Sequence, residues 1–165
     1  MAITVTHISA ATASLTWALW ERIKFGKASL VGIVTGTIAG LASITPASGF
    51  VGPWAALLIG AVAGILCQEA VVLIRNKAKI DDTLDVFAVH GVGGIFGTIM
   101  IAALGAGSWA AQLGSLAIVG VYTTVVTVVL VLVCKAITPL RVSKEVEVNG
   151  LDLSVHGERA YDLSS

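Results

Sequence analysis

The chain has 165 residues, 56% of them hydrophobic and only 12% charged, with ten basic and ten acidic side chains that cancel. Soluble domains carry about twice that share of charge, so the composition points away from a water-soluble domain and towards a membrane protein. No basic patch interleaved with aromatics is present, which excludes a nucleic-acid binder, and Cys67 and Cys134 stand apart without metal-ligand spacing and read as small, buried, inert side chains.

A spanning helix needs about 20 mostly apolar residues to cross about 30 Å of hydrocarbon. Five segments meet that requirement. The first covers about residues 3–20, has His7 near one end and is closed by Trp17, Trp20 and the basic run ERIKFGK. No basic region with a small-residue cleavage site precedes it, so a mature helix is expected rather than a signal peptide. The second covers about 29–45 and is rich in small residues. The third, about 52–74, opens on Pro53, favourable in a first turn, and ends at Arg75, with Gln68 and a snorkelling Glu69 near that end. The fourth covers about 83–104, and the fifth about 112–138, stopping before Pro139. The expected fold is an all-α membrane protein: a transmembrane domain of five helices over residues 1–139, and a polar tail over 140–165 outside the bilayer.

The charges give this arrangement a direction. Arg22, Lys24 and Lys27 follow the first segment, Arg75, Lys77 and Lys79 the third, and Lys135, Arg141, Lys144 and Arg159 the end of the fifth and the tail. The connections TPASGFVG and GAGSWAA carry none. With five spans, all ten basic residues fall on one face, and the positive-inside rule makes that face cytoplasmic. The N-terminus is then outside and the tail inside.

Glycine stripes follow the helical repeat: Gly32, Gly36 and Gly40 in the second segment, Gly60 and Gly64 in the third, and Gly91, Gly94 and Gly97 near one face of the fourth. In lipid, helices associate through close backbone contact and interhelical hydrogen bonds, and such stripes permit that contact. They imply neighbours on several sides, hence a larger bundle or an oligomer.

The stretch DDTLDVFAVHGVGGIFG, residues 81–97, carries the most chemistry. Asp81, Asp82 and Asp85 are expected in the first turn of the fourth helix, where carboxylates cap free amides and offset the helix dipole. Asp85 lies about one turn before His90. His90 falls about 9 Å inside the expected span, at 1.5 Å per residue. Ionisable groups at that depth are rare and face a protein interior or a water-filled path. Gly91, Gly93 and Gly94 are expected to leave room beside the imidazole. Two readings stand: a structural histidine bonded to a neighbouring helix, and a group that passes a proton or hydrogen-bonds a small polar solute. No phosphate loop, nucleophile elbow, HExxH or CxxC pattern occurs, so no enzyme, cofactor or metal is expected.

The same stretch resembles the tenth helix of the ammonium transporter (Amt/Mep/Rh) family. THISAATASLTW (6–17) resembles the family's seventh helix, GKASLVGIVTGTIAGLASITPASGFVG (26–52) its eighth helix and following loop, and LRV…NGLDLSVHGERAY (140–161) its cytoplasmic tail. The resemblance covers nearly the whole chain. It implies an 11-helix protomer built from an inverted repeat, assembled as a homotrimer with one pore per subunit in the plasma or inner membrane. It implies that His90 matches the second of two pore histidines, that Val86 lines the pore, and that the first histidine belongs to an N-terminal half this chain lacks. In the tail, Gly150, Leu151, Asp152, His156, Gly157, Glu158 and Tyr161 match a regulatory motif that packs under a neighbouring subunit, and Ser154 a position phosphorylated in some relatives. A PII-type signalling protein is a cytoplasmic partner by the same resemblance. The expected function is ammonium or ammonia transport by a partial transporter. The alternative is a truncated subunit that joins full-length transporters and modulates them.

Overall fold

The computed structural model describes residues 1–158; Arg159 and Tyr161, named above, lie outside the described residues. All regular structure among these residues is helical. The chain forms two units, Met1–Ile118 and Val119–Ser165.

In the first unit, α1 spans Ala2–Phe25, α2 Leu30–Ile44 and α3 Pro53–Val72. Each boundary has a local cause. Gly26 adopts a left-handed conformation (φ 81°) and its amide returns to the Arg22 carbonyl, which ends α1. Ser29 caps α2, its hydroxyl accepting from the Gly32 amide at 2.9 Å. The Glu21 carboxylate accepts from the Ser29 amide at 2.8 Å and lies at the same helix start, where its charge meets the positive end of the dipole. Pro53 opens α3, where its missing amide costs nothing. The last turn of α3 widens into a π-helical turn, Leu73–Lys77. A second π-helical turn, Phe87–Gly91, leads into α4, Val92–Ala103.

The core is made by α1 lying against both α2 and α3. Two glycine stripes admit it. A Cβ on Gly40 would stand 2.5 Å from the Ser9 carbonyl, and one on Gly36 2.6 Å from Trp17 Cβ. On α3, a Cβ on Gly64 would stand 2.6 Å from the Ala13 carbonyl. Ser9, Ala13 and Trp17 of α1 are the counter-surface, all buried. The Ser9 hydroxyl donates to the Gly40 carbonyl at 3.0 Å, the kind of interhelical bond that holds helices in lipid. Val5, Ile44, Ala47, Val51, Ala56, Ile59 and Ile101 fill one end, and Trp17, Ala39, Cys67 and Val89 the middle.

Glu69 does not snorkel freely. Its carboxylate accepts from the Trp20 indole at 2.5 Å and from Lys24 Nζ at 2.7 Å, tying α3 to α1. Gln68 is buried.

Among the described residues, two helices are long and apolar enough to cross a membrane: Pro53–Lys77, 25 residues, and Trp109–Ile137, 29 residues. Leu30–Ile44 and Phe87–Ala103 are apolar but shorter. The 24-residue α1 is interrupted by Thr4, Thr6, His7, Ser9, Thr12, Ser14 and Thr16.

The helix Trp109–Ile137, α5, begins in the first unit and continues into the second, and none of its residues is buried. Cys134 on it is therefore exposed, contrary to the buried position expected, whereas Cys67 is buried. The second unit continues with α6, Lys144–Asn149, capped by Ser143, and a π-helical turn, Asp152–His156. Arg141 pairs with Glu147 at 2.5 Å across the start of α6.

Candidate functional site

The helix that carries His90 starts later than its sequence suggests. Residues 83–85 are not helical, and the helix begins at Val86. Asp85 explains the delay: its φ of 55° is left-handed, which an L residue does not hold inside a right-handed helix. The three aspartates therefore precede the first turn instead of sitting in it, and they do different work. Asp82 is the cap. Its Oδ1 accepts from the Val86 amide at 2.8 Å, and its Oδ2 from the Phe87 and Ala88 amides at 3.0 and 3.2 Å. One carboxylate thus satisfies three of the amides a helix start leaves open. Asp81 accepts from the Thr83 hydroxyl at 2.7 Å, which shapes the preceding turn. Asp85 forms an ion pair with Arg75, Nε to Oδ1 3.0 Å.

Arg75 comes from the π-helical turn that ends α3. Its Nη2 donates to the Thr83 carbonyl at 2.7 Å and its Nε to the Asp82 carbonyl at 3.4 Å. Nothing in the sequence pattern singles out this arginine from the other nine basic residues.

Val86 and His90 lie one turn apart and both are exposed, as is Phe87, while Ala88 and Val89 are buried. The exposed stripe continues towards Gly94, around which a Cβ would meet nothing within 4 Å. His90 sits within the π-helical turn, where the Val92 amide reaches back five residues to the Phe87 carbonyl. Turns of this kind are frequent at functional sites. Behind the stripe the helix is pinned: the Cys67 thiol lies 3.8 Å from the Val89 carbonyl.

The glycines divide differently from expectation. Gly93 and Gly97 are the packing pair; both are buried, and a Cβ on Gly93 would stand 2.9 Å from Ser43 Oγ, while one on Gly97 would run into the Ser43 carbonyl. Gly93 therefore leaves no room beside the imidazole. A Cβ on Gly91 would stand 2.9 Å from the ring of Phe87. Of the three glycines expected to leave space, Gly94 alone has it. Ser43, buried at the α2–α4 contact, had no signal beyond its small size.

The other named residues lie elsewhere. His7 lines an open groove of about 530 Å³ between α1 and α2, with Ala10, Ser14, Thr37 and Leu41. In the second unit, Gly150 (φ 90°) ends α6, and Leu151 and Asp152 open the next turn. His156 is the last residue of that turn, and Gly157 (φ 68°) terminates it, with the Glu158 amide donating to the Asp152 carbonyl at 3.0 Å. Ser154 lies in the same turn, and its amide donates to the Gly150 carbonyl at 3.1 Å. Among the described residues, no group of three His, Cys, Asp or Glu side chains is placed to hold a metal ion.

Comparison with known proteins agrees with this architecture. The chain is 42% identical to the ammonium transporter Amt1 of Archaeoglobus fulgidus, over 97% of this chain and 44% of that protein. It is 40% identical to the ammonium transporter of Aquifex aeolicus, over 96% of this chain and 40% of that protein. It thus spans less than half the length of these relatives. Among solved structures it resembles Candida albicans Mep2, with a TM-score of 0.76 and 30% identity, over 87% of this chain and 36% of that one. The description of the Ammonium Transporter Family matches residues 1–161, and with relatives that are transporters and not enzymes, the chain belongs to that family.

Proposed function

We propose that the chain supplies one wall of a path for ammonium or ammonia across a membrane, with His90 and Val86 facing the path. The observation that carries this reading is an ionisable side chain, His90, exposed one turn from Val86 on a helix whose other side is backed by Cys67 and Ser43. One exposed helix face forms a wall, not a conduit, and the chain matches only 44% of its relative's length. The opposite wall belongs to a complementary half, as a separate chain or as another part of the same protein.

The chemistry favours a neutral solute in such a path. A bare cation in an apolar passage loses its hydration at a cost of several kcal/mol or more. Ammonium that gives up its proton avoids that cost, whereas potassium has no proton to give. A neutral imidazole offers one donor and one acceptor, suited to hydrogen-bonding ammonia or relaying the proton. In this reading all five apolar helices span the bilayer, the basic connections face the cytoplasm, and the assembly is a homotrimer of complete protomers. The tail, from Gly150 to Glu158 with Tyr161 beyond it, is a cytoplasmic regulatory segment and a candidate surface for a PII-type protein.

Growth of cells that lack ammonium uptake tests the reading. The chain alone gives no rescue; with a complementary N-terminal half it restores growth, and His90→Ala abolishes that restoration at equal protein levels. Rescue by the lone chain, or unchanged growth with His90→Ala, contradicts it. The second reading, a subunit that modulates intact transporters without conducting, is favoured by the 29-residue α5, none of whose residues is buried, a face open to a partner helix. It predicts that the chain lowers uptake by a co-expressed full-length transporter.

A further inference from the structure

We propose that Arg75 is a positioning residue for Val86 and His90, acting through the fork geometry of its guanidinium and not through its charge alone. The inference rests on the pore reading only for its consequence for transport. A continuous chain of contacts links Arg75 to the start of that helix. Arg75 stands in the π-helical turn Leu73–Lys77, at the end of α3. From there it reaches the Thr83 carbonyl at 2.7 Å, the Asp82 carbonyl at 3.4 Å and the Asp85 carboxylate at 3.0 Å. The two carbonyls it bonds and the carboxylate it pairs with enclose the turn from which the Asp82 carboxylate takes the amides of Val86, Phe87 and Ala88. One side chain of α3 thereby sets the point at which the helix of Val86 and His90 begins.

Asp85 shows why a strut is needed. A non-glycine residue at φ 55° occupies a sparsely populated conformation that persists only when its surroundings impose it. Here they do, since the Asp85 side chain is 16% exposed and held by Arg75. A one-residue shift at this point would rotate the helix by about 100°, at 3.6 residues per turn, and carry His90 off the exposed stripe. Arginine suits the task because Nε and Nη2 donate in a fixed planar arrangement to separate acceptors. Lysine supplies the same charge as a single point without that arrangement. A residue present only to mark the cytoplasmic face would tolerate the exchange, since the positive-inside rule counts Lys and Arg alike.

The test uses the whole chain in lipid nanodiscs, with ¹⁵N-labelled histidine and amide hydrogen exchange, comparing Arg75→Lys and Arg75→Gln with the parent. Both variants raise exchange at the Val86, Phe87 and Ala88 amides by about tenfold or more while the amides of α2 keep their parental rates. Both also shift the ring-nitrogen resonances of His90. Parental exchange and parental His90 resonances in Arg75→Lys overturn the proposal, because charge alone would then suffice. Asp85→Asn keeps the two carbonyl contacts, gives a smaller change of the same sign, and serves if the Arg75 variants do not accumulate; no change in it overturns the proposal as well. Neither readout requires transport. A parent chain that fails to conduct with its complement removes the pore reading and leaves this test intact.

Discussion

At the scale of single residues, one carboxylate starts the helix that carries Val86 and His90. Asp82 accepts three amides at 2.8 to 3.2 Å, so its loss exposes three donors at once. Replacing a side-chain cap by alanine costs about 0.5–2 kcal/mol, and a cap shared by three donors belongs at the upper end. Asp82→Ala is expected to raise exchange at Val86, Phe87 and Ala88 before any other helical amide in the first unit, with Asp82→Asn intermediate. Equal protection in all three proteins would contradict the assignment. The aspartates and His90 were legible as residues, because carboxylates before an apolar run and an ionisable group inside one are unusual by type alone. Their division of labour was not legible. It depends on the left-handed Asp85, and nothing in the local pattern encodes a positive φ at a residue other than glycine.

At the scale of elements, close approach decides packing. The stripes of α2 and α3 were readable because small residues at intervals of four face one way, and both meet α1 at Ser9, Ala13 and Trp17. In the fourth helix the sequence pattern places Gly91, Gly94 and Gly97 near one face, but the packed pair is Gly93 and Gly97. Gly93 and Gly97 lie four residues apart in the regular α4 and share a face, whereas a series at intervals of three drifts across it. Substitution separates the two kinds of glycine. Gly40→Val places branched atoms against the Ser9 carbonyl and is expected to destabilise the first unit by about 1–3 kcal/mol. Gly120→Ala on α5 meets nothing within 4 Å and gains up to about 1 kcal/mol of helix propensity. Thermal unfolding followed by circular dichroism in detergent checks the pair: a lower midpoint for Gly40→Val and an unchanged or higher one for Gly120→Ala. The opposite order would contradict the packing.

At the scale of the whole molecule, family membership and helical content followed from sequence, because the matched runs extend over residues 1–161. Which surfaces face lipid, and which face a path, did not follow. A helix exposed to either is apolar, and the distinction depends on what covers it in the complete assembly. His90 is the exception that permits a test, since a titratable ring facing lipid would be costly and one facing a path would not. The decisive measurement is thiol accessibility in the assembled halves, with Cys67 and Cys134 replaced by alanine. His90→Cys and Val86→Cys are predicted to react with a small, uncharged, water-soluble thiol reagent, while Leu130→Cys on α5 does not. Labelling of His90→Cys by a lipid-soluble maleimide alone, with the water-soluble reagent failing to react, would show that this face meets lipid and would contradict the account.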